Sequence, residues 1–226
     1  MTATVHSIQP KIGEGIFLVR DVANILRLDY ENVRRWIAGY WSGSLQEDYD
    51  YTFGEKGSKA INFYSLIEFY TFFKLREKGL STTEIRKLHQ TLAKDYNTPY
   101  PFAIARDYYI EKRKKKTFVY FSYLESLIKH DAKRQFSLQF VQDFLDKIEF
   151  DDNNVARRFF PLPNSKNVVV DPQHQFGQPT IAGTNIKTQV VFSLYKGGEP
   201  LGNICNLYDL PPEKVQDAIS FHKAAA

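Results

Sequence analysis

Cysteine is nearly absent: Cys205 stands alone in 226 residues, which excludes an internal disulfide and any multi-cysteine zinc site. Long apolar runs are missing too. No stretch approaches the roughly 18 consecutive apolar residues of a membrane span. The opening MTATVHSIQPKIGEG has neither the basic start nor the apolar centre of a secretory signal. A cytoplasmic, reduced protein is the expectation. Catalytic patterns are equally scarce. His6, His89, His130, His174 and His222 are scattered, with no HxH or HExxH spacing. No Gly-rich phosphate loop follows a strand and there is no GxSxG. His89 reads as a core-edge residue, and Asp151-Asp152 with Asn153-Asn154 as a turn rather than a metal cluster. The expectation is therefore no enzyme, no metal and no cofactor.

What is present is an ordinary globular composition, 43% hydrophobic and 25% charged, with chain enough for a substantial core. The net charge of +4 is unevenly placed. Residues 1–106 carry 14 Lys/Arg against 12 Asp/Glu, residues 107–167 carry 12 against 9, and residues 168–226 carry 4 against 5. A nucleic acid would meet the first two stretches, and the last would face protein. Aromatics make up 15% of the chain, a share that a core alone accounts for.

Near the N-terminus, Val19, Val22, Ala23 and Leu26 repeat at helical spacing. Arg27-Leu28-Asp29 breaks the pattern, and Asp29 suits the N-cap of a second helix carrying Val33, Trp36 and Ile37 inward. Tyr30, Asn32, Arg34 and Arg35 fall on its other faces. Two helices joined so tightly match a helix-turn-helix, whose second helix enters the major groove. Arg can bond guanine O6 and N7 in parallel, and Asn can do the same to adenine. Spacing alone leaves open a solvated helical hairpin.

Residues 49–61, YDYTFGEKGSKAI, read as a β-hairpin whose tip residues Lys56, Ser58 and Lys59 reach backbone phosphate. Asn62 then caps a helix running to Lys78 and ending at Gly79. That helix is apolar almost all round, with only Ser65, Glu68, Thr71 and Lys74 as a polar stripe, so its own domain or a second subunit must bury it. Phe69, Tyr70 and Phe73 are its candidate partner or dimer contacts. Ser81-Thr82-Thr83-Glu84 is a capping box, and the helix after it faces inward with Ile85, Leu88, Leu92 and Tyr96. Over residues 16–96 this order resembles the MerR-like winged helix-turn-helix domain.

Between them lies a mixed segment. The cations at 112–116 lead into a strand at 117–121, and they serve either to grip phosphates or to guard a strand edge. Ser137 starts a helix through Phe140, Val141, Phe144, Leu145 and Ile148, and the turn at 151–154 joins two short strands, IEF at 148–150 and VARRFF at 155–160.

The C-terminal stretch runs from a strand ending in Asp171-Pro172, through the loop FGQPTIAGTNIKT at 176–188, to three helices. Pro212-Glu213 opens the last of these, with Val215, Ala218 and Ile219 facing inward. Its exposed Glu213, Lys214, Gln216 and Asp217 carry no net positive charge, which suits a protein contact. Gly177, Pro179, Gly183, Thr184 and Ile186 fit the pattern Gly-x-Pro-x-x-x-Gly-Thr-Arg-Ile. On these residues the stretch resembles the domain-of-unknown-function family numbered 433, found in VapB-type antitoxins. Asn185 stands where that family usually has Arg. Asn185 and Lys187 are further candidate partner contacts.

The expected fold is mainly α with small β elements. It divides into an arm over 1–15, a MerR-like winged helix-turn-helix domain over 16–106, a connecting α/β segment over 107–166, and a strand plus trihelical, homeodomain-like module over 167–223. The resemblance implies an antitoxin of a type II toxin-antitoxin system. Such a protein binds operator DNA as a dimer, represses its own operon and neutralises a PIN-like ribonuclease toxin. The alternative is a stand-alone MerR-like regulator whose C-terminal domain only dimerises.

Overall fold

The computed structural model describes residues 6–7, 13–40, 49–55, 58–104, 108–113, 116–121, 144 and 146–223. Seven α-helices and five two-stranded sheets occur among them. No helix among the described residues is long and apolar enough to cross a membrane.

The head begins with β2 (Phe17–Leu18), which follows the short β1 (His6–Ser7) and runs straight into α1 (Val19–Leu26). Val22, Ala23 and Ile25 of α1 are buried. Asp21 secures its first turn by accepting the Leu18 N–H at 2.9 Å. The helix ends at Arg27 in the left-handed region (φ 55°). Two residues later Asp29 accepts the Asn32 N–H at 2.9 Å and opens α2 (Tyr30–Arg35). A wide turn over Trp36–Tyr40 continues it. The tight link follows directly from the sequence: a polar cap comes immediately after an αL corner.

The expected hairpin over 49–61 is narrower than the sequence suggests. Phe53 and Ala60 exchange both backbone bonds, at 2.9 and 2.8 Å. However, β3 (Tyr49–Asp50) pairs in parallel with β1 instead of with β4 (Ala60–Ile61). Strand β4 is antiparallel to β2, with Phe17 opposite Ile61. The reason is that β4 is claimed on one edge by Phe53 and on the other by β2.

Asn62 caps α3 (Phe63–Glu77) by accepting the Ser65 N–H, and Gly79 stands past its end at φ 87°. Ser81 and Glu84 form the capping box of α4 (Thr82–Asp95), bonding at 2.6 and 3.3 Å. Helix α3 is the centre of the head, with Phe63, Leu66, Ile67, Phe69 and Phe72 all at 0% exposure. Its polar stripe is buried as well, apart from half-exposed Lys74 at the C-terminal end. Ser65 and Glu68 are fully covered and Thr71 nearly so, because the turn at Pro101–Ala103 and α4 close over that side.

In the middle, β5 (Tyr108–Arg113) and β6 (Lys116–Phe121) pair antiparallel, with Lys112 opposite Thr117 and Arg113 opposite Lys116. Lys114 and Lys115 lie outside the described residues. So does the helix expected from Ser137, apart from Phe144, which is buried, while Ile148 stands in β7 (Ile148–Phe150) rather than in a helix. Strand β7 pairs with β8 (Ala156–Phe159) across a turn in which Asp151 accepts the Asn153 and Val155 N–H groups at 2.9 Å each.

The C-terminal module pairs β9 (Val168–Val169) with β10 (Thr180–Ile181) and adds α5 (Thr188–Lys196), α6 (Leu201–Tyr208) and α7 (Pro212–Lys223). Ile181, Val191, Ile204, Val215 and Ala218 are fully covered in its own small core, and Cys205 lies beside them at 9% exposure. A larger core runs from Phe17 through α3 and α4 to Phe159, Val168 and Val170, and it also takes in Phe221 of α7. Head and tail therefore share packing. Ile16 donates to the Phe176 carbonyl at 3.0 Å, and the Arg27 guanidinium lies 5.9 Å from the Phe221 ring centre. Gly177 sits at φ 83° directly against the Phe17 ring, where a Cβ would collide with it.

Candidate functional site

The residues expected to face DNA share one short helix. Val33 and Ile37 anchor it in the core at 0% and 1% exposure, and Trp36 packs 4.6 Å from Phe72 and 5.7 Å from Phe73. With that face fixed, Tyr30, Asn32, Arg34 and Arg35 all point to solvent. Their side chains are preordered. Arg34 donates to a single Glu31 oxygen through Nε at 2.9 Å and Nη2 at 2.7 Å. That bond raises the Arg34 pKa further above its already high ordinary value. Arg35 Nη2 donates to Asn32 Oδ1. Both guanidinium groups retain further N–H donors beyond these contacts.

Ser58 and Lys59 lie on the approach to β4, which is tied through β2 to the start of α1. Ser58 is exposed, whereas Lys59 is half-buried with Nζ 3.3 Å from the Thr52 hydroxyl. Lys56 lies outside the described residues.

The expected partner contacts fall in two separate places. Phe69 and Tyr70 are 0% and 5% exposed: the chain itself covers them, Tyr70 stacking at 5.2 Å on Phe144 and meeting Phe159 edge-on at 4.9 Å. Phe73 is half-buried beside Trp36. Asn185 is exposed on the loop before α5, and Lys187 is the half-buried N-cap of that helix.

Two polar clusters lie beyond what sequence spacing revealed. In the head, Glu68 and His89 are both fully buried, His89 Nε2 lying 3.0 Å from Glu68 Oε2. The contact is close enough for an ion pair but is not aligned as a hydrogen bond. Glu68 Oε1 accepts the Phe102 and Ala103 N–H groups at 2.7 and 3.2 Å. Burial pushes the Glu68 carboxyl above its ordinary range, with His89 and the two backbone donors opposing it. The Tyr51 and Phe102 rings meet the imidazole edge-on. This pair fastens α3 to α4 and to the turn at Pro101–Ala103.

The second cluster surrounds a cleft of about 550 Å³ at the junction of β8, β9 and the loop before α5. Asp171, 3% exposed, is at its floor. Its Oδ2 accepts from Arg158 Nε at 2.8 Å and faces His174 Nδ1 at 3.1 Å, while Oδ1 accepts the Gln173 N–H at 2.9 Å. Burial alone would raise the Asp171 pKa. The Arg158 bond, the Gln173 N–H and the charge of His174 outweigh it and hold the group below the usual carboxylate range. Arg158 also donates from Nη1 to Glu149 at 3.1 Å. Asp171 lies just past β9, thirteen residues from Arg158 of β8, so helical or strand periodicity could not have joined them. The only signal was the Asp-Pro that ends the strand.

Residues 168–222 match the family model described as protein of unknown function, DUF433. Over 82 residues the chain is 28% identical to a protein of Mycobacterium tuberculosis named "Putative antitoxin VapB45". That stretch is 36% of this chain and 34% of the relative, so about a third of each is aligned. The crystal structure of Rv2018 from M. tuberculosis shares the fold, with a TM-score of 0.66 at 16% identity, covering 94% of this chain and 99% of that one. The likeness to an antitoxin is thus one of sequence over part of the chain, and the likeness of fold extends over nearly all of it.

Proposed function

We propose that this protein is the antitoxin of a type II toxin-antitoxin system. It binds operator DNA as a dimer through the head, represses its own operon, and neutralises a PIN-like ribonuclease through a protein-facing tail. The observation that carries this reading is the similarity to the VapB45 relative together with the DUF433 match over residues 168–222. The architecture is compatible with it. Helix α2 offers two Arg and one Asn on a face opposite its buried anchor, and these are the side chains that read guanine and adenine edges. The tail, with four Lys/Arg against five Asp/Glu over residues 168–226, is poorly suited to a polyanion and better suited to protein. In this reading the chain itself does no catalysis.

The test has two arms. Affinity purification of the tagged protein from its own host, with mass spectrometry of what remains bound, yields a stoichiometric PIN-like protein. Fluorescence anisotropy with fragments of its own promoter gives specific binding that weakens steeply with salt. A homodimer that shifts its promoter yet carries no nuclease supports a stand-alone regulator instead. A protein that binds no promoter fragment even at low salt removes the DNA-binding half of the proposal.

A further inference from the structure

We propose that the cleft between Arg158, Lys166, His174 and Asn185 is a recognition pocket for an acidic side chain of a protein partner. This assignment rests on the reading of the tail as a protein-facing module. Helix α7 holds both walls of the cleft. On one side Asp217 accepts from the Ser165 hydroxyl and, at 2.8 Å, from Asn167 Nδ2, which fixes the loop that carries Lys166. On the other side Lys214 Nζ donates to the Ala182 carbonyl at 2.8 Å, which fixes the turn leading to Gly183, Thr184 and Asn185. Two side chains of α7 that the sequence presents as surface polar residues are thus used inside the molecule to keep an opening apart.

Asp171 is fully engaged at the floor by Arg158, His174 and the Gln173 N–H. Arg158 spends two N–H groups on Asp171 and Glu149, leaving others of its five. Among the described residues, Lys166 has no ion pair, its ammonium lying over the Phe160 ring at 5.1 Å from the centroid. The Asn185 amide and the His174 Nε2 also have no hydrogen-bond partner there. What remains along the lining is the spare N–H groups of Arg158 and Lys166 and the amide NH2 of Asn185, with two cations against the single carboxylate of Asp171. The complement of these groups is an acceptor-only group, a carboxylate.

The buried Asp171 and nearby Glu149 oppose a group of high negative charge, and the module as a whole carries an excess of acid. One carboxylate balances the lining, whereas a chain of phosphates would meet repulsion around it. The volume exceeds that of a lone carboxylate and accommodates an Asp or Glu side chain with the backbone on either side.

The test is a ¹H–¹⁵N titration of the full-length labelled protein with a blocked pentapeptide bearing a central glutamate. The glutamine version of the peptide and inorganic phosphate serve as comparisons. The expected result is saturable shifts at the His174, Gly183, Thr184 and Asn185 amides, with a Kd on the order of 1 mM, as suits a single side chain. Lys166→Ala weakens this roughly fivefold, and Asn185→Arg, at an exposed position whose amide makes no bond, strengthens it about as much. Both variants leave the remaining spectrum unchanged. Equal response to the glutamine peptide, no response to either peptide, or tighter binding of phosphate than of glutamate each overturns the assignment, the last in favour of a nucleic-acid backbone. The peptide titration is separate from the search for a nuclease. If it fails while the nuclease co-purifies, the pocket is wrong and the antitoxin reading stands. If the nuclease is absent and the titration succeeds, the reverse holds.

Discussion

Arg34 and Arg35 are exposed, yet each is held by a neighbour three residues earlier on the same helix, Glu31 and Asn32 respectively. Such bonds cost little to break at a surface, but they reduce the number of rotamers from which a base contact starts. Arg34→Ala and Arg35→Ala are each expected to weaken promoter binding roughly five- to hundredfold if they make bidentate base contacts. Anisotropy titrations at fixed salt check this, and unchanged affinity in both variants and in the double variant removes the assignment. His222 presents a different residue-scale effect. Its ring stacks on Phe192 at 5.0 Å, Nε2 lies 3.0 Å from the Thr188 hydroxyl, and burial lowers its pKa from 6.5 to about 4. Between those values the unfolded chain binds a proton that the folded chain refuses. Stability from this group is therefore complete above pH 6.5 and declines as the pH falls toward about 4. Urea unfolding across that range, with His222→Gln as the reference, is expected to show a slope in the wild type that the variant lacks.

At the scale of elements, the Glu68–His89 pair determines how α3 meets α4. Glu68→Ala strips the buried Phe102 and Ala103 N–H groups of their acceptor and leaves His89 without the carboxylate it faces, and a loss of about 3–5 kcal/mol is expected. Glu68→Gln keeps an oxygen for the two backbone donors, so its cost in chemical denaturation is expected to be clearly smaller. The sequence announced α3 and α4 almost to the residue, because Asn62, Gly79 and the Ser81–Glu84 box are local signals that act within one turn. It also announced the tail's order of strand, loop and three helices. It did not announce that Glu68 is inside. A carboxylate on a helix that is otherwise apolar reads as the wet stripe, and only the return of the chain at Pro101–Ala103 covers it. The same limit applies to the cleft, whose Arg158, Asp171 and Lys166 meet only after β8, β9 and α7 have packed. Ile148 was legible in two ways, as the end of the helix from Ser137 and as the start of the strand IEF, and the strand is what forms. Its apolar spacing with Phe144 suits a helix, and the pairing of β7 with β8 took precedence.

For the whole molecule, the seam between head and tail is as much a part of the core as either module. Phe17 is fully buried against Gly177, and Phe221 at the far end of the chain joins the head's own cluster. Gly177→Ala places a methyl group on the Phe17 ring and asks alanine to hold a left-handed backbone, so a loss of about 1–3 kcal/mol is expected. The seam also predicts that this variant lowers the midpoint of head and tail signals together, which tryptophan fluorescence from Trp36 and amide exchange in α5 to α7 would read separately. Independent midpoints would show that the two modules are uncoupled. The stretch from Asp171 to Gln178 has a wider consequence. At one end it forms the cleft floor, and at the other it touches the head through Phe176, Gly177 and Gln178, whose amide reaches Asp21 at the start of α1. In the proposed reading of α2 as the DNA-facing helix, a guest that prefers one setting of this short stretch biases how that helix is presented. Thermodynamic reciprocity then requires a bound duplex to change the grip on that guest by the same factor.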